Sequence, residues 1–317
     1  MKKPVITIIG SYVMAMTMRV ERFPTCGETL IGHGFQPVPG GKGTNQAVEC
    51  ARLGATVHHV ICVGDDSHGD GIIEICKKEG IHVQHIKRSE TLLSGVAFVI
   101  VNDNGDNIIT LDLGANLDFL PEDITAVESV IAQSDIILIQ MEIPTSTIAA
   151  AVNAAKRHGV KVILNPAPYQ YLLDEIWANV AIATPNEKEA KLMAGYDPET
   201  QVDMEILGRK LLDKGIEHVI ITMGEKGAFF MYREDGGVKS GRIPVRQVDA
   251  VDTTGAGDAF SASLSVAVAE GKPITDAIRF AVAAASLSVM HFGVIDIMPY
   301  RKEVEEELKN LILIKIK

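Results

Sequence analysis

Aromatic residues supply only 5% of the 317-residue chain, and tryptophan occurs once, at Trp177, so any core must be assembled from aliphatic side chains. The four cysteines, Cys26, Cys50, Cys62 and Cys76, form no CxxC pair and stand beside no histidine cluster. A zinc centre of the common spacings is therefore excluded, and a reducing compartment is expected. Runs of lysine or arginine are also missing: 41 acidic against 30 basic residues leave a formal charge of −11. Such a field repels DNA and RNA, although backbone N–H groups can still bind an anionic nucleotide at short range. Long apolar runs are absent too. Even the alanine-rich stretch from Ala277 to Met290 holds Arg279, so no membrane span is expected. The opening Met1-Lys2-Lys3, followed by mostly apolar residues to Met18, has the outline of a secretory signal. Pro4, the β-branched Val5, Ile6 and Ile8, and the Gly10-Ser11 break read better as a buried strand ending in a turn. The expectation is a soluble, cytoplasmic protein.

What is present is enough for one large core: 47% of residues are hydrophobic and 22% charged. Short β-branched runs alternate with amphipathic helical patterns, which is the mark of a mostly parallel sheet covered on both faces. Strands are expected over Val5–Ile9, Val57–Cys62, Ile136–Gln140, Lys161–Leu164, Ala181–Ala183 and Val219–Thr222. Helices are expected over Asn45–Leu53, Gly69–Lys78 and Pro144–His158, each stopped by a glycine, and over the last third from Gly257 to Glu270, Pro273 to about His291 and Pro299 to about Lys309. The fold class is thus α/β, a three-layer α/β/α domain. Two stretches break the alternation: Glu28–Pro39, and a hairpin pairing Gly95–Val101 with Asn107–Leu111 across Asn102-Asp103-Asn104-Gly105-Asp106. They predict a small antiparallel β lid, from about 12–39 and 94–112, inserted in a single domain spanning 1–317. So small a sheet should cover a ligand or pair with another subunit. His58, His59, His82 and His85 read as surface or edge histidines, and Trp177 as a packing residue.

The densest chemical signal is Asp252-Thr253-Thr254-Gly255-Ala256-Gly257-Asp258. Gly255 and Gly257 let a ligand approach the backbone, and the helix that follows aims unpaired N–H groups at it, a pocket for a group that gains negative charge. Asp258, at the mouth of that helix, is placed to take the proton of an attacking alcohol. Taken alone, the motif reads first as an ordinary N-cap Asp after a glycine turn. Gly40-Gly41-Lys42-Gly43-Thr44-Asn45-Gln46 is a second glycine turn opening a helix. It is not a Walker A loop, because Gly43 follows Lys42 where Ser or Thr is needed, and no GxGxxG follows a strand.

In their order along the chain these motifs resemble the ribokinase family of carbohydrate kinases. The likeness runs from Gly10-Ser11 through Phe23-Pro24, Gly27-Glu28-Thr29, Gly40-Gly41-Lys42-Gly43 with Asn45-Gln46-Ala47, Gly64-Asp65-Asp66, Asn165-Pro166-Ala167-Pro168 and Pro185-Asn186-Glu187 to Ala250-Val251-Asp252-Thr253. The resemblance implies an ATP-dependent phosphotransferase acting on a hydroxyl of a small sugar. It implies Asp258 as general base, with the N–H groups of Gly255, Ala256 and Gly257 as an anion hole. Gly41, Lys42, Asn45 and Glu142 would contact sugar hydroxyls. Asn186 and Glu189 would form an NxxE motif ordering Mg²⁺ and its waters, unless they only cap a helix. Thr222, Gly224 and Gly227 would contact nucleotide phosphates, and Val282 would lie beside the base. Asp252 and Thr254 fall in the loop that binds a monovalent cation such as K⁺ in ribokinase-like members. A homodimer through the lid is the implied assembly.

The chain departs from the family pattern just after Gly10-Ser11. Ribokinase-like and nucleoside kinases place an Asp, and often an Asn, there to grip vicinal hydroxyls; here the segment reads Tyr12-Val13-Met14-Ala15-Met16-Thr17-Met18. A site without that clamp should accept a deoxysugar, or another substrate with an apolar face toward Val13 and Ala15, over ribose. Alternatively, the alternating methionines only pack in the core. A nucleoside kinase and a catalytically silent sugar-binding regulator are the rival functions.

Overall fold

The β-branched run at the start of the chain forms β1 (Val5–Ile9), which lies inside the main sheet and not at its edge. The computed structural model describes residues 3–311, so Met1 and Lys2 of the signal-like stretch fall outside it. The strands that follow are β2 (Val13–Arg19), β3 (His33–Gly40), β4 (Thr56–Gly64), β5 (Ile86–Ser89), β6 (Gly95–Val101), β7 (Asn107–Asp112), β8 (Ile136–Gln140), β9 (Lys161–Asn165), β10 (Ile182–Ala183), β11 (His218–Thr222), β12 (Ala228–Glu234) and β13 (Gly237–Ile243). Helices are α1 (Lys42–Arg52), α2 (Ser67–Lys78), α3 (Pro121–Ala126), α4 (Glu128–Ile131), α5 (Thr145–His158), α6 (Asp174–Trp177), α7 (Glu187–Met193), α8 (Met204–Leu212), α9 (Ala256–Ala269), α10 (Ile274–Ser288) and α11 (Arg301–Leu311).

The main sheet has nine strands in the order β13-β12-β11-β10-β9-β8-β1-β4-β5. It is parallel from β11 to β5, and β12 and β13 add an antiparallel edge. That edge was not anticipated, although Asp235-Gly236 between the two strands carries a hairpin signal, with Asp235 at φ 49°. Side chains on successive strand positions point to opposite faces. Ile6, Ile8, Ile136 and Leu138 pack with α1, α2, α9, α10 and α11, while Ile9, Ile137 and Ile139 pack with the layer that runs from α3 to α8. Two aliphatic cores therefore flank one sheet. Trp177 is fully buried in the second, as expected of a packing residue. Each fully buried Ile or Leu contributes about 1.5–3 kcal/mol, so this pattern alone commits the chain to three layers.

The second sheet, β3-β2-β6-β7, is the small sheet expected as a lid. Its outer pairings are antiparallel, and the central pairing of β2 with β6 is parallel, because the chain leaves for the main domain between them. Asn116 fastens the lid's root: its Oδ1 accepts the Tyr12 N–H at 3.0 Å, and its Nδ2 donates to the Tyr12 carbonyl at 2.7 Å. His59 corrects the reading of the histidines. It is fully buried, with Nε2 3.2 Å from the Thr44 hydroxyl, and burial drives its pKa down to about 3.

Candidate active site

The carboxyl ends of the parallel strands carry the motifs, as open α/β sheets dictate. Gly10-Ser11 follows β1, Glu142 follows β8, Asn186 follows β10, and Thr222 ends β11. Helices α1 and α9 begin at the same edge and pack against each other.

The turn into α1 is built by backbone contact. Gly41 sits at φ 89°, and a β-carbon there would fall 2.7 Å from the Val13 nitrogen; one at Gly43 would fall 2.4 Å from the Ser11 nitrogen. Glycines are thus required where the loop crosses the root of β2. Glu142, 8% exposed, locks the crossing: its Oε2 accepts from the Ser11 hydroxyl at 2.5 Å and from the Lys42 N–H at 3.0 Å. It is not the freely solvated strand-end carboxylate that its position alone suggests, and it satisfies an otherwise orphaned donor at the start of α1.

Asp258 is 4% exposed and held by consecutive residues of α1. Asn45 Nδ2 donates to Oδ2 at 2.8 Å, and Gln46 Nε2 donates to Oδ1 at 2.9 Å. Each carboxylate oxygen keeps a further lone pair for a proton. Asn45 is itself 4% exposed, and its Oδ1 has no partner, an unsatisfied acceptor beside the carboxylate. A buried oxygen of this kind costs roughly 1–3 kcal/mol unless a donor reaches it, and a substrate hydroxyl is such a donor.

Above Asp258 the backbone is open. Gly255 is left-handed, at φ 80°, and caps α9. Ala256 N–H reaches the Thr253 carbonyl at 3.3 Å, whereas among the described residues the N–H groups of Gly255, Gly257 and Asp258 have no partner. The free donors are therefore not quite the expected trio, since Asp258 contributes its own N–H and Ala256 is partly engaged. A β-carbon at Gly257 would meet nothing within 4 Å, so packing does not demand glycine there and ligand approach is the remaining reason for it.

Charges converge on this point. Burial pulls the Lys42 ammonium down, but the carboxylates of Asp258, Glu142 and Glu189 outweigh it and leave its pKa raised. Glu189 is pushed up by burial and by Asp258, against the Asn186 N–H and Lys42. Asn186 and Glu189 form a reciprocal cap on α7, with Glu189 N–H donating to Asn186 Oδ1 at 2.9 Å and Asn186 N–H to Glu189 Oε2 at 2.8 Å. Among the described residues nothing donates to Glu189 Oε1. No group of three or more His, Cys, Asp or Glu side chains among the described residues could hold a metal. A divalent ion here would take its ligands from phosphates and water, which suits Mg²⁺.

The remaining expected residues surround this centre. Thr222 N–H donates to the Pro185 carbonyl at 2.9 Å, tying β11 to the Asn186 turn. Gly224 is left-handed, at φ 54°, and open, whereas Gly227 is demanded by packing, because a β-carbon would fall 2.0 Å from the Ile243 carbonyl. Asp252 Oδ1 accepts the Thr254 N–H at 2.9 Å, and the loop is pinned by Val251 and Asp252 N–H groups to the Val289 carbonyl. Val282 is 3% exposed and packed in the core, so a base would reach it only through a shift of its neighbours. On the lid, Val13 is 5% exposed and Ala15 partly exposed on the same face of β2. Sequence reasoning gave no role to Gln46, Gln140 or Asn116, whose contacts join residues far apart in the chain.

Comparison with known proteins agrees with the geometry. Residues 3–301 match the model of the pfkB family of carbohydrate kinases. The chain is 39% identical to a ribokinase of Haemophilus influenzae over 96% of its own length and 98% of the relative's. It is 34% identical to a deoxyribokinase of Salmonella typhi over 96% and 98%. The structure of Arabidopsis thaliana ribokinase complexed with ribose and ATP superposes with a TM-score of 0.86 at 32% identity, covering 98% of this chain and 99% of that one. With this fold, this pair of helix mouths and these relatives, the chain belongs to the pfkB family of carbohydrate kinases, ribokinase-like phosphotransferases that use an alcohol group as acceptor.

Proposed function

We propose that the chain transfers the γ-phosphoryl group of ATP to a hydroxyl, the primary one, of a small carbohydrate other than ribose, and that a deoxysugar is the best acceptor. The reading of the substrate is supported by strand β2, where Val13 and Ala15 share a face just after Gly10-Ser11, in the segment where the family resemblance would put a diol clamp. An apolar wall gives a vicinal diol nothing to bind and leaves its hydroxyls desolvated. A deoxy position suits that wall.

In this reading Asp258 accepts the proton of the attacking alcohol. Asn45 Oδ1, unpaired among the described residues, accepts a hydrogen bond from the sugar, and Gly41, Lys42 and Glu142 position its other hydroxyls. The N–H groups around Gly255, Ala256 and Gly257 face the charge that develops on the transferring group. Mg²⁺, bound with the nucleotide, would neutralise phosphate charge, with Asn186 and Glu189 holding its water shell. Thr222, Gly224 and Gly227 would line the nucleotide phosphates and Val282 the base side. Asp252 and Thr254 would serve a monovalent cation such as K⁺; Asp252 Oδ2 has no partner among the described residues. The lid excludes water from the reacting oxygen, which suppresses ATP hydrolysis. Work in the cytoplasm, as a homodimer paired through the lid, completes the reading.

The test is ATP consumption across ribose, 2-deoxyribose, hexoses and nucleosides, with Mg²⁺ and with or without K⁺. The expected result is a higher kcat/KM for 2-deoxyribose than for ribose. Tight, productive ribose binding with no use of 2-deoxyribose contradicts the substrate reading. Preference for nucleosides, or binding without turnover, would transfer the chain to the nucleoside-kinase or silent-regulator reading.

A further inference from the structure

Gln46 is fully buried, and every hydrogen-bonding atom of its amide is in use. Nε2 donates to Asp258 Oδ1 at 2.9 Å and to Asn165 Oδ1 at 3.2 Å, and Oε1 accepts from Gln140 Nε2 at 2.5 Å. Gln140 ends β8, two residues before Glu142, and Asn165 ends β9, where its own Nδ2 donates to the Thr184 carbonyl at 3.0 Å. One side chain thus ties the carboxylate on α9 to two strand ends of the main sheet. The neighbouring Asn45 differs in one respect: its Oδ1 is left open. Asn45 can therefore serve a ligand and the carboxylate together, whereas both donors of Gln46 are spent and its oxygen is buried against Gln140. The acceptors decide which way round the Gln46 amide sits: the Asp258 carboxylate only accepts, and Asn165, whose Nδ2 is spent on the Thr184 carbonyl, offers its Oδ1, so the Gln46 NH₂ must face both and its oxygen faces Gln140.

We propose that Gln46 is a positioning residue for phosphoryl transfer, holding the Asp258 carboxylate against the sheet so that its free lone pairs face the acceptor hydroxyl. It touches no substrate and acts only through Asp258. The assignment of Asp258 as base comes from the proposed function, and the inference rests on it.

Gln46→Met keeps the length of the side chain and removes its hydrogen bonds; Gln46→Glu keeps the shape. The expected result for Gln46→Met is a fall in kcat of about 10- to 100-fold, the range for a mispositioned general base, with KM for ATP and for the sugar within about threefold of wild type. In an Asp258→Asn background the same change should lower kcat less than about twofold, because residues that act as a unit are not additive. A structural role would lower kcat by the same factor in both backgrounds, and that outcome overturns the proposal. A full-rate Gln46→Met enzyme overturns it as well. Gln46→Glu sets a second carboxyl group against Asp258, and its kcat should fall below that of wild type; a wild-type rate counts against the proposal. The contact can also be read without turnover, from the side-chain amide resonances of Gln46 by ¹H–¹⁵N NMR. Asp258→Asn should shift them, and unmoved resonances contradict the inference. A wild-type chain inactive on every acceptor would therefore refute the proposed function, while this measurement still decides whether Gln46 holds Asp258.

Discussion

Three glycines separate what packing requires from what chemistry requires. Gly41 and Gly43 are glycines because neighbouring backbone leaves no room for a β-carbon; Gly257 faces open space inside a helix. Gly257→Ala should raise stability by about 0.5–1 kcal/mol, since alanine loses less entropy in a helix. The same methyl group stands where a transferring phosphoryl would approach, so turnover should fall at least tenfold. Thermal melts and initial rates on one preparation check both halves, and a variant with wild-type kcat would remove Gly257 from the anion hole. Ala15 is the residue at which substrate choice is most exposed. Ala15→Asp would put a carboxylate on the strand proposed to face the sugar, and should move the ratio of kcat/KM for ribose over 2-deoxyribose upward by about 10- to 100-fold, the worth of one or two good hydroxyl hydrogen bonds. An unchanged ratio would mean that this face of β2 does not meet the sugar.

At the level of elements, the pairing of α1 with α9 assembles the site, and it buries a carboxyl group that takes no part in the proposed chemistry. Glu49 is fully buried between them and accepts from the Ser263 hydroxyl at 2.9 Å, while its Oε2 has no partner. Burial raises its pKa to about 8; Ser263 and Arg52 oppose the shift, and Glu303 adds to it. The folded state therefore binds this proton more tightly than the unfolded chain. Its contribution to stability is complete below the ordinary carboxylate range and is lost as pH rises through about 8. Over that window stability should fall by up to about 1.4 kcal/mol per pH unit from this one group, and Glu49→Gln should flatten the decline. Chemical denaturation from pH 5 to pH 9 reads it directly, and parallel slopes for the two proteins would contradict the assignment. Most of these elements were legible in the sequence. The β-branched runs, the glycine stops at Gly54, Gly80 and Gly159 and the Asn102–Asp106 turn all appear where local propensity puts them. The parallel join of β2 to β6 was not legible, because pairing across that distance is decided by the main domain and leaves no local mark. The amide bracket on Asp258 was hidden for the same reason: Gln46 and Asp258 lie 212 positions apart.

For the whole molecule, two surfaces matter. The lid exposes Phe35, Phe98, Ile108, Ile109 and Leu111, a concentration of apolar side chains on a sheet with free edges. If a second copy covers them, Phe98→Asp should convert dimer to monomer in sedimentation velocity at micromolar concentration; a wild-type chain that already sediments as a monomer counts against the lid-paired assembly. The other is the edge at the carboxyl ends of the parallel strands, where the account stands on one carboxylate beneath free backbone amides. Turnover of Asp258→Asn with the preferred sugar is its most direct measure. The account predicts a kcat lower by at least about a thousandfold, with KM for ATP near the wild-type value, and a variant that phosphorylates the sugar at close to the wild-type rate would contradict it.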